Sequence, residues 1–86
     1  KVAFFNQIYD LCNATGIDYE AVASLITEDN RIGDSHTRVT SERGFGGHCF
    51  PKDTQAILKT ANDNNIDLTL IEQAILYNNQ IRKGNT

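Results

Sequence analysis

Gly44-Phe45-Gly46-Gly47-His48-Cys49-Phe50-Pro51-Lys52-Asp53 gathers three of the six glycines and the only proline of an 86-residue chain into one short run. Glycines this close together let the backbone take positive φ and approach a ligand with no Cβ in the way. Pro51 suits the first turn of a helix, where its missing N–H costs nothing, and Asp53 two residues later can accept from the orphan N–H groups there. Cys49 is therefore expected just outside a helix N-terminus. The positive end of the helix, with Lys52 nearby, favours thiolate over thiol and makes Cys49 a candidate nucleophile. The other reading of Cys49 is a small buried hydrophobe beside a turn. The run lacks the Lys-Ser/Thr ending of a P-loop and the spacing of a dinucleotide fingerprint.

Outward from this run the chain reads as helix. Residues 2–15 put Phe4, Phe5, Ile8, Leu11 and Cys12 on one broad apolar face, with Gly16 as the stop and Cys12 as inert packing. No N-cap residue opens this helix, as expected of a chain cut within a longer one. Asp18 can cap a second helix from 19 to about 28, with Val22, Leu25 and Ile26 facing inward, and a short turn makes the pair an antiparallel hairpin. A third helix runs from Pro51 to about residue 64, with Ile57 and Leu58 on its apolar side and Asn62-Asp63-Asn64-Asn65 closing it. Asp67 can cap a fourth, whose Leu70, Ile71, Ala74, Ile75, Asn78 and Ile81 should be buried, and residues 80–86 fray into polar side chains. The fold class is thus all-α, a small domain of about four helices with a long irregular loop.

That loop, residues 29–50, has neither helical period nor strand alternation. A segment so long without regular structure inside a small domain is usually functional or disordered. Arg31, His36, Arg38 and Arg43 along it offer donors that suit a phosphate or a sugar hydroxyl. For His36, Arg38 and Arg43 a solvated loop explains the same composition.

Composition bounds the function classes. The net charge of −3 without a basic cluster gives no case for nucleic acid. No apolar run could span a bilayer and no signal-peptide pattern is present, so a cytoplasmic origin is the default. Two cysteines in unlike settings make no disulfide framework, and no spacing suits a metal.

The run from Gly44 to Asp53 resembles the cysteine motif of the UDP-glucose/GDP-mannose dehydrogenase family, and Asp29-Asn30-Arg31-Ile32-Gly33 resembles the segment that precedes it. The resemblance covers nearly the whole chain and corresponds to the family's central domain. It implies a fold like the C-terminal core of 6-phosphogluconate dehydrogenase, with residues 1–86 forming a helical homodimerisation domain. The flanking Rossmann-type domains, which would bind NAD and the nucleotide sugar, are not in this chain. The implied activity is the NAD-dependent oxidation of a nucleotide sugar's C6 alcohol to a carboxylate. Phe50-Pro51-Lys52-Asp53 looks most like the branch that converts UDP-glucose to UDP-glucuronate.

By the same resemblance Cys49 is the nucleophile that holds the intermediate aldehyde, and Asp53 positions or deprotonates water. Phe45, Gly46, Gly47, Phe50 and Lys52 bind substrate, and Arg31 reaches the sugar in the neighbouring subunit. The family's lysine and asparagine oxyanion donors lie upstream of the match, so Lys1 and Asn6 do not take those roles. Between Arg38 and Gly44 the chain is slightly longer than some relatives, and neither Arg38 nor Arg43 is assigned. His48 stands where many relatives carry a small residue, and its role is open. Two other readings compete: a non-catalytic helical homodimerisation module, and a cysteine hydrolase, for which no histidine is well placed. As an isolated piece the chain should not turn over substrate, since it offers no βαβ unit for NAD.

Overall fold

A computed structural model of the chain describes residues 1–46 and 49–83, the side chains at 49, 50 and 83 excepted. All regular structure among the described residues is helical: α1 (Val2–Thr15), α2 (Tyr19–Thr27), α3 (Cys49–Asp63) and α4 (Thr69–Lys83). The all-α expectation holds, and residues 28–46 are turns, bends and irregular chain. The chain divides into two compact units, Lys1–Ser41 and Glu42–Thr86, in which α1 packs on α2 and α3 on α4.

In the first unit Phe5, Cys12, Tyr19 and Ala23 form the core, flanked by Ile8, Tyr9, Val22, Ile26 and Val39. Tyr9 meets Tyr19 edge-on with ring centroids 5.6 Å apart, close to the turn that joins the helices. Phe5 and Ile26 share a groove at the far end. That arrangement is the antiparallel hairpin expected from the short connection. Cys12 is buried, as its place on the apolar face predicts. The buried strip is narrower than the sequence suggests. Leu25, expected to face inward, is 69% exposed, and Phe4 and Leu11 also lie open, because a two-helix pair covers one flank of each helix and helical spacing alone does not say which. Asp18 stands at the N-cap of α2 in an extended conformation but makes no side-chain capping bond.

α1 and α3 end by the same device. At the end of α1, Ile17 N–H donates to the Cys12 carbonyl (3.1 Å) after Gly16 enters the left-handed region at φ 75°. At the end of α3, Ile66 N–H donates to Ala61 (2.8 Å) and Asn65 N–H to Asn62 (3.1 Å), with Asn65 at φ 60°. This is the six-to-one closure that satisfies orphan carbonyls, with asparagine in the place that glycine usually takes. The Asn-rich stop read from the sequence is therefore real.

In the second unit Ile75 and Asn78 of α4 are buried, with Ile71, Ala74 and Ile81 partly so. Leu70, expected among them, is 86% exposed, and Ile57 of α3 is open too. α4 begins at Thr69, two residues past Asp67, and runs to Lys83. The stretch expected to fray from residue 80 is thus helix as far as 83. This places Arg82 on a rigid element.

Candidate active site

α3 begins at Cys49, so this residue opens the helix instead of lying just outside it. Pro51 remains in the first turn, where the missing N–H is harmless. The shift changes the reading of Asp53. It lies one full turn into α3, the first turn has no acidic residue, and the carboxylate is exposed 3.8 Å from Lys52 Nζ. Stabilising the orphan N–H groups is therefore not its role here. Positions 49 and 53 are one turn apart, the spacing that puts two residues on the same helix face. The Lys52–Asp53 pair is loose and solvent-screened and contributes little. Gly47 and His48 lie outside the described residues, as do the side chains of Cys49 and Phe50.

Ahead of α3 the chain is turned sharply and fastened to α4. Arg43 and Gly44 are consecutive left-handed residues at φ 63° and 59°. The Phe45 N–H donates to Asn78 Oδ1 at 2.7 Å, and Asn78 Nδ2 donates back to the Phe45 carbonyl at 2.8 Å. One turn further along α4, Arg82 Nη1 donates to the Arg43 carbonyl at 2.8 Å. A Cβ on Gly44 would fall 2.0 Å from Asn78 Oδ1, and one on Gly46 would fall 2.4 Å from the Arg82 guanidinium. At Gly44 and Gly46 the backbone is thus closely approached by the protein's own α4. The spacing along α4 predicts that Asn78 is buried but gives no hint of what it bonds. Arg82 was legible only as part of a polar terminus.

Arg31 belongs to the first unit and lies in a turn in which the Ile32 and Gly33 N–H groups donate to the Asp29 carbonyl. Its guanidinium is 90% exposed and doubly bound: Nε donates to Asp29 Oδ1 at 3.0 Å and Nη2 to Oδ2 at 2.6 Å. The Arg31 N–H also donates to Oδ1, at 2.9 Å. The Arg31 side-chain bonds, followed by the backbone bond, hold the Asp29 carboxyl below the usual carboxylate range. From the other side Lys1 Nζ donates to the carbonyls of Ile32 (2.7 Å) and Gly33 (3.3 Å) and to Ser35 Oγ (3.4 Å). Lys1, Phe4, Phe5, Ile26, Arg31 and Ile32 line an open groove of about 310 Å³ beside this turn. Further on, the buried Tyr19 hydroxyl donates to the Thr37 carbonyl, and burial, with Glu20 and Cys12 nearby, pushes the phenol up from its ordinary value. Asn6 is buried and donates to the Val2 carbonyl at 2.9 Å within its own helix. Lys1 and Asn6 thus have structural partners of their own.

The sequence pattern of the UDP-glucose/GDP-mannose dehydrogenase family, central domain, matches residues 1–80. The chain belongs to this family. Among the UDP-glucose/GDP-mannose dehydrogenase relatives, the UDP-glucose 6-dehydrogenase of Rhizobium meliloti (strain 1021) is 39% identical over 84 residues, 98% of this chain and 19% of its own length. The UDP-glucose 6-dehydrogenases YwqF and TuaD of Bacillus subtilis (strain 168) are each 39% identical, over 92% and 95% of this chain and 18% and 17% of their own lengths. The chain thus spans less than a fifth of the curated relatives it matches. The described residues include no strand and hence no βαβ unit. No described helix is long and apolar enough to cross a membrane.

Proposed function

We propose that this chain is the central segment of an NAD-dependent UDP-glucose 6-dehydrogenase, supplying the nucleophile Cys49 and the dimer contacts, while other domains bind NAD and the nucleotide. The family membership carries this reading, and the position of Cys49 at the opening of α3 supports its chemistry. Oxidising a primary alcohol to an acid passes through an aldehyde that must not escape. The Cys49 thiolate adds to the aldehyde carbon, the carbonyl π pair moves to oxygen and takes a proton, and a thiohemiacetal holds the intermediate. NAD, held by another domain, would supply the oxidising power by accepting one hydride from the alcohol and a second from the thiohemiacetal carbon. Water then adds to the carbonyl carbon of the resulting thioester and the C–S bond breaks, returning the thiolate and the acid. Asp53, one turn along the same helix and open to solvent, takes the proton from that water.

Phe45, Gly46, Gly47, Phe50 and Lys52 would line the sugar and nucleotide side. Arg31 would serve a neighbouring subunit, its exposed guanidinium oriented by Asp29. Self-association is supported by the apolar side chains left open in each unit, among them Phe4, Leu25 and Leu70.

The test is the full-length protein carrying this segment. Cys49→Ser should abolish UDP-glucose-dependent NAD reduction, and iodoacetamide near neutral pH should label Cys49 much faster than the buried Cys12. A Cys49→Ser enzyme that keeps its turnover, or equal slow labelling of both thiols, would sink the catalytic assignment. Sedimentation showing only monomer at micromolar concentration would sink the dimer.

A further inference from the structure

We propose that Asn78, seconded by Arg82, is a positioning residue for the cysteine-bearing segment: α4 fixes the chain at residues 43–45 so that Cys49 is delivered in one place. The inference rests on the reading of Cys49 as nucleophile.

A carboxamide is the side chain that presents one acceptor and one donor in a plane. Asn78 uses both on the N–H and the carbonyl of a single residue, Phe45, at 2.7 and 2.8 Å. This is the two-point pairing that a neighbouring strand would supply, furnished here by a helix. Asn78 is only 5% exposed, so water does not readily replace it. Aspartate has the same shape and can still accept from the Phe45 N–H, but it sets a second acceptor where the Phe45 carbonyl needs a donor, and alanine leaves both Phe45 groups without these partners. Neither can stand in.

The backbone is held against its own preference. Arg43, a residue with a Cβ, occupies the left-handed region beside Gly44, a conformation that persists only where the surroundings over-determine it. The Arg82 bond to the Arg43 carbonyl and the Asn78 pair supply that determination from positions one helical turn apart. Gly44 is required on two counts, its φ and the 2.0 Å that a Cβ would leave to Asn78 Oδ1.

The consequence for chemistry is one of reach. From the clamped Phe45 to Cys49 is four residues, about 14 Å at full extension, and α3 starts at the cysteine. Whatever path the chain follows between them, fixing Phe45 narrows the volume in which the thiol can meet a carbonyl. A misplacement of about 1 Å in a reacting group can cost on the order of a hundredfold in rate.

The experiment compares Asn78→Asp, Arg82→Lys and Cys49→Ser in the full-length dehydrogenase. It reads steady-state turnover of UDP-glucose, the pH dependence of Cys49 alkylation, and thermal melting. Asn78→Asp should lower kcat by about tenfold to a hundredfold, leave the KM for UDP-glucose nearly unchanged, and move the midpoint of Cys49 alkylation toward that of a free thiol. Arg82→Lys, which keeps the charge but loses the fork, should move both in the same direction by less.

A merely structural Asn78 would give a lower melting temperature with kcat per folded molecule and the alkylation midpoint unchanged, and that outcome overturns the proposal. Should Asn78→Asp fail to fold, the Arg82→Lys enzyme decides, since an unaltered kcat and midpoint there overturn it equally. An active Cys49→Ser enzyme removes the nucleophile reading itself and the positioning role with it. That failure differs from the failure of the clamp, in which Cys49→Ser is dead and Asn78→Asp is not slowed.

Discussion

The two irregular stretches that carry the proposed site residues are fastened by opposite means. The turn bearing Arg31 is held by charge at the surface, through Asp29 on one side and Lys1 on the other. The turn leading to Cys49 is held chiefly by the buried, neutral Asn78 amide, with the Arg82 guanidinium donating to the Arg43 carbonyl. Surface ion pairs are screened by salt and weakened by protonation, whereas buried amide pairs are indifferent to both. The contrast suits the roles proposed for Arg31, as a contact for an anionic substrate, and for Cys49, as a nucleophile held in one place.

The largest loss is expected in the helix pair of the first unit. Phe5→Ala should destabilise the first unit by about 3–5 kcal/mol, the range for deleting a buried phenylalanine, seen as a lower denaturant midpoint. It should leave hydrogen-exchange protection of the Phe45 amide in the second unit intact. Gly44→Ala should cost less globally but act on the other unit. The strained φ and the collision with Asn78 would strip protection from the Phe45 amide without touching the exchange of the Tyr19 helix. If Gly44→Ala leaves Phe45 as slow as before, the clamp is not what holds that turn.

Tyr19→Phe removes the bond to the Thr37 carbonyl and should cost about 1 kcal/mol. The Tyr19 phenol is raised in the folded state, so its contribution is present below its ordinary pKa of about 10 and lost as pH rises through the higher folded value. Stability of the first unit should therefore fall on the alkaline side more steeply in the parent than in Tyr19→Phe. Asp29 works in the reverse sense. Its carboxyl is lowered, so the Arg31 contacts are present above the usual carboxylate pKa and lost as pH falls through the lower folded value. Asp29→Asn should leave the melting curve nearly unmoved. Its effect should be confined to the order of the Arg31 side chain, measured by NMR of the guanidinium Nε–H. An unaltered Nε–H signal would show that Asp29 does not orient Arg31.

How much of this was legible in the sequence depends on whether the controlling interaction is local. Helices announced themselves by spacing, and their ends by Gly16 and by the asparagines before Ile66, because closure uses residues within one turn. Leu25 and Leu70 lie open for the converse reason: the apolar face is readable, but which part of it a neighbour covers is not. Pro51 is the strongest local signal for the start of α3, but proline is tolerated anywhere in the first turn, so the signal does not tell that the helix opens at Cys49 or that Asp53 lies past its first turn. The pairing of Asn78 with Phe45 spans 33 residues and obeys no local rule. What could have drawn attention to it is a polar residue at an apolar position of α4, since a buried amide needs a partner.

Between the two fastened turns lie Thr40, Ser41 and Glu42, exposed, at the boundary where the first compact unit gives way to the second. Tyr19 secures the backbone shortly before them and Arg82 shortly after. Slack introduced here falls between these two knots and need disturb neither. A single glycine inserted after Ser41 should be silent, where the same insertion after Gly44 should not.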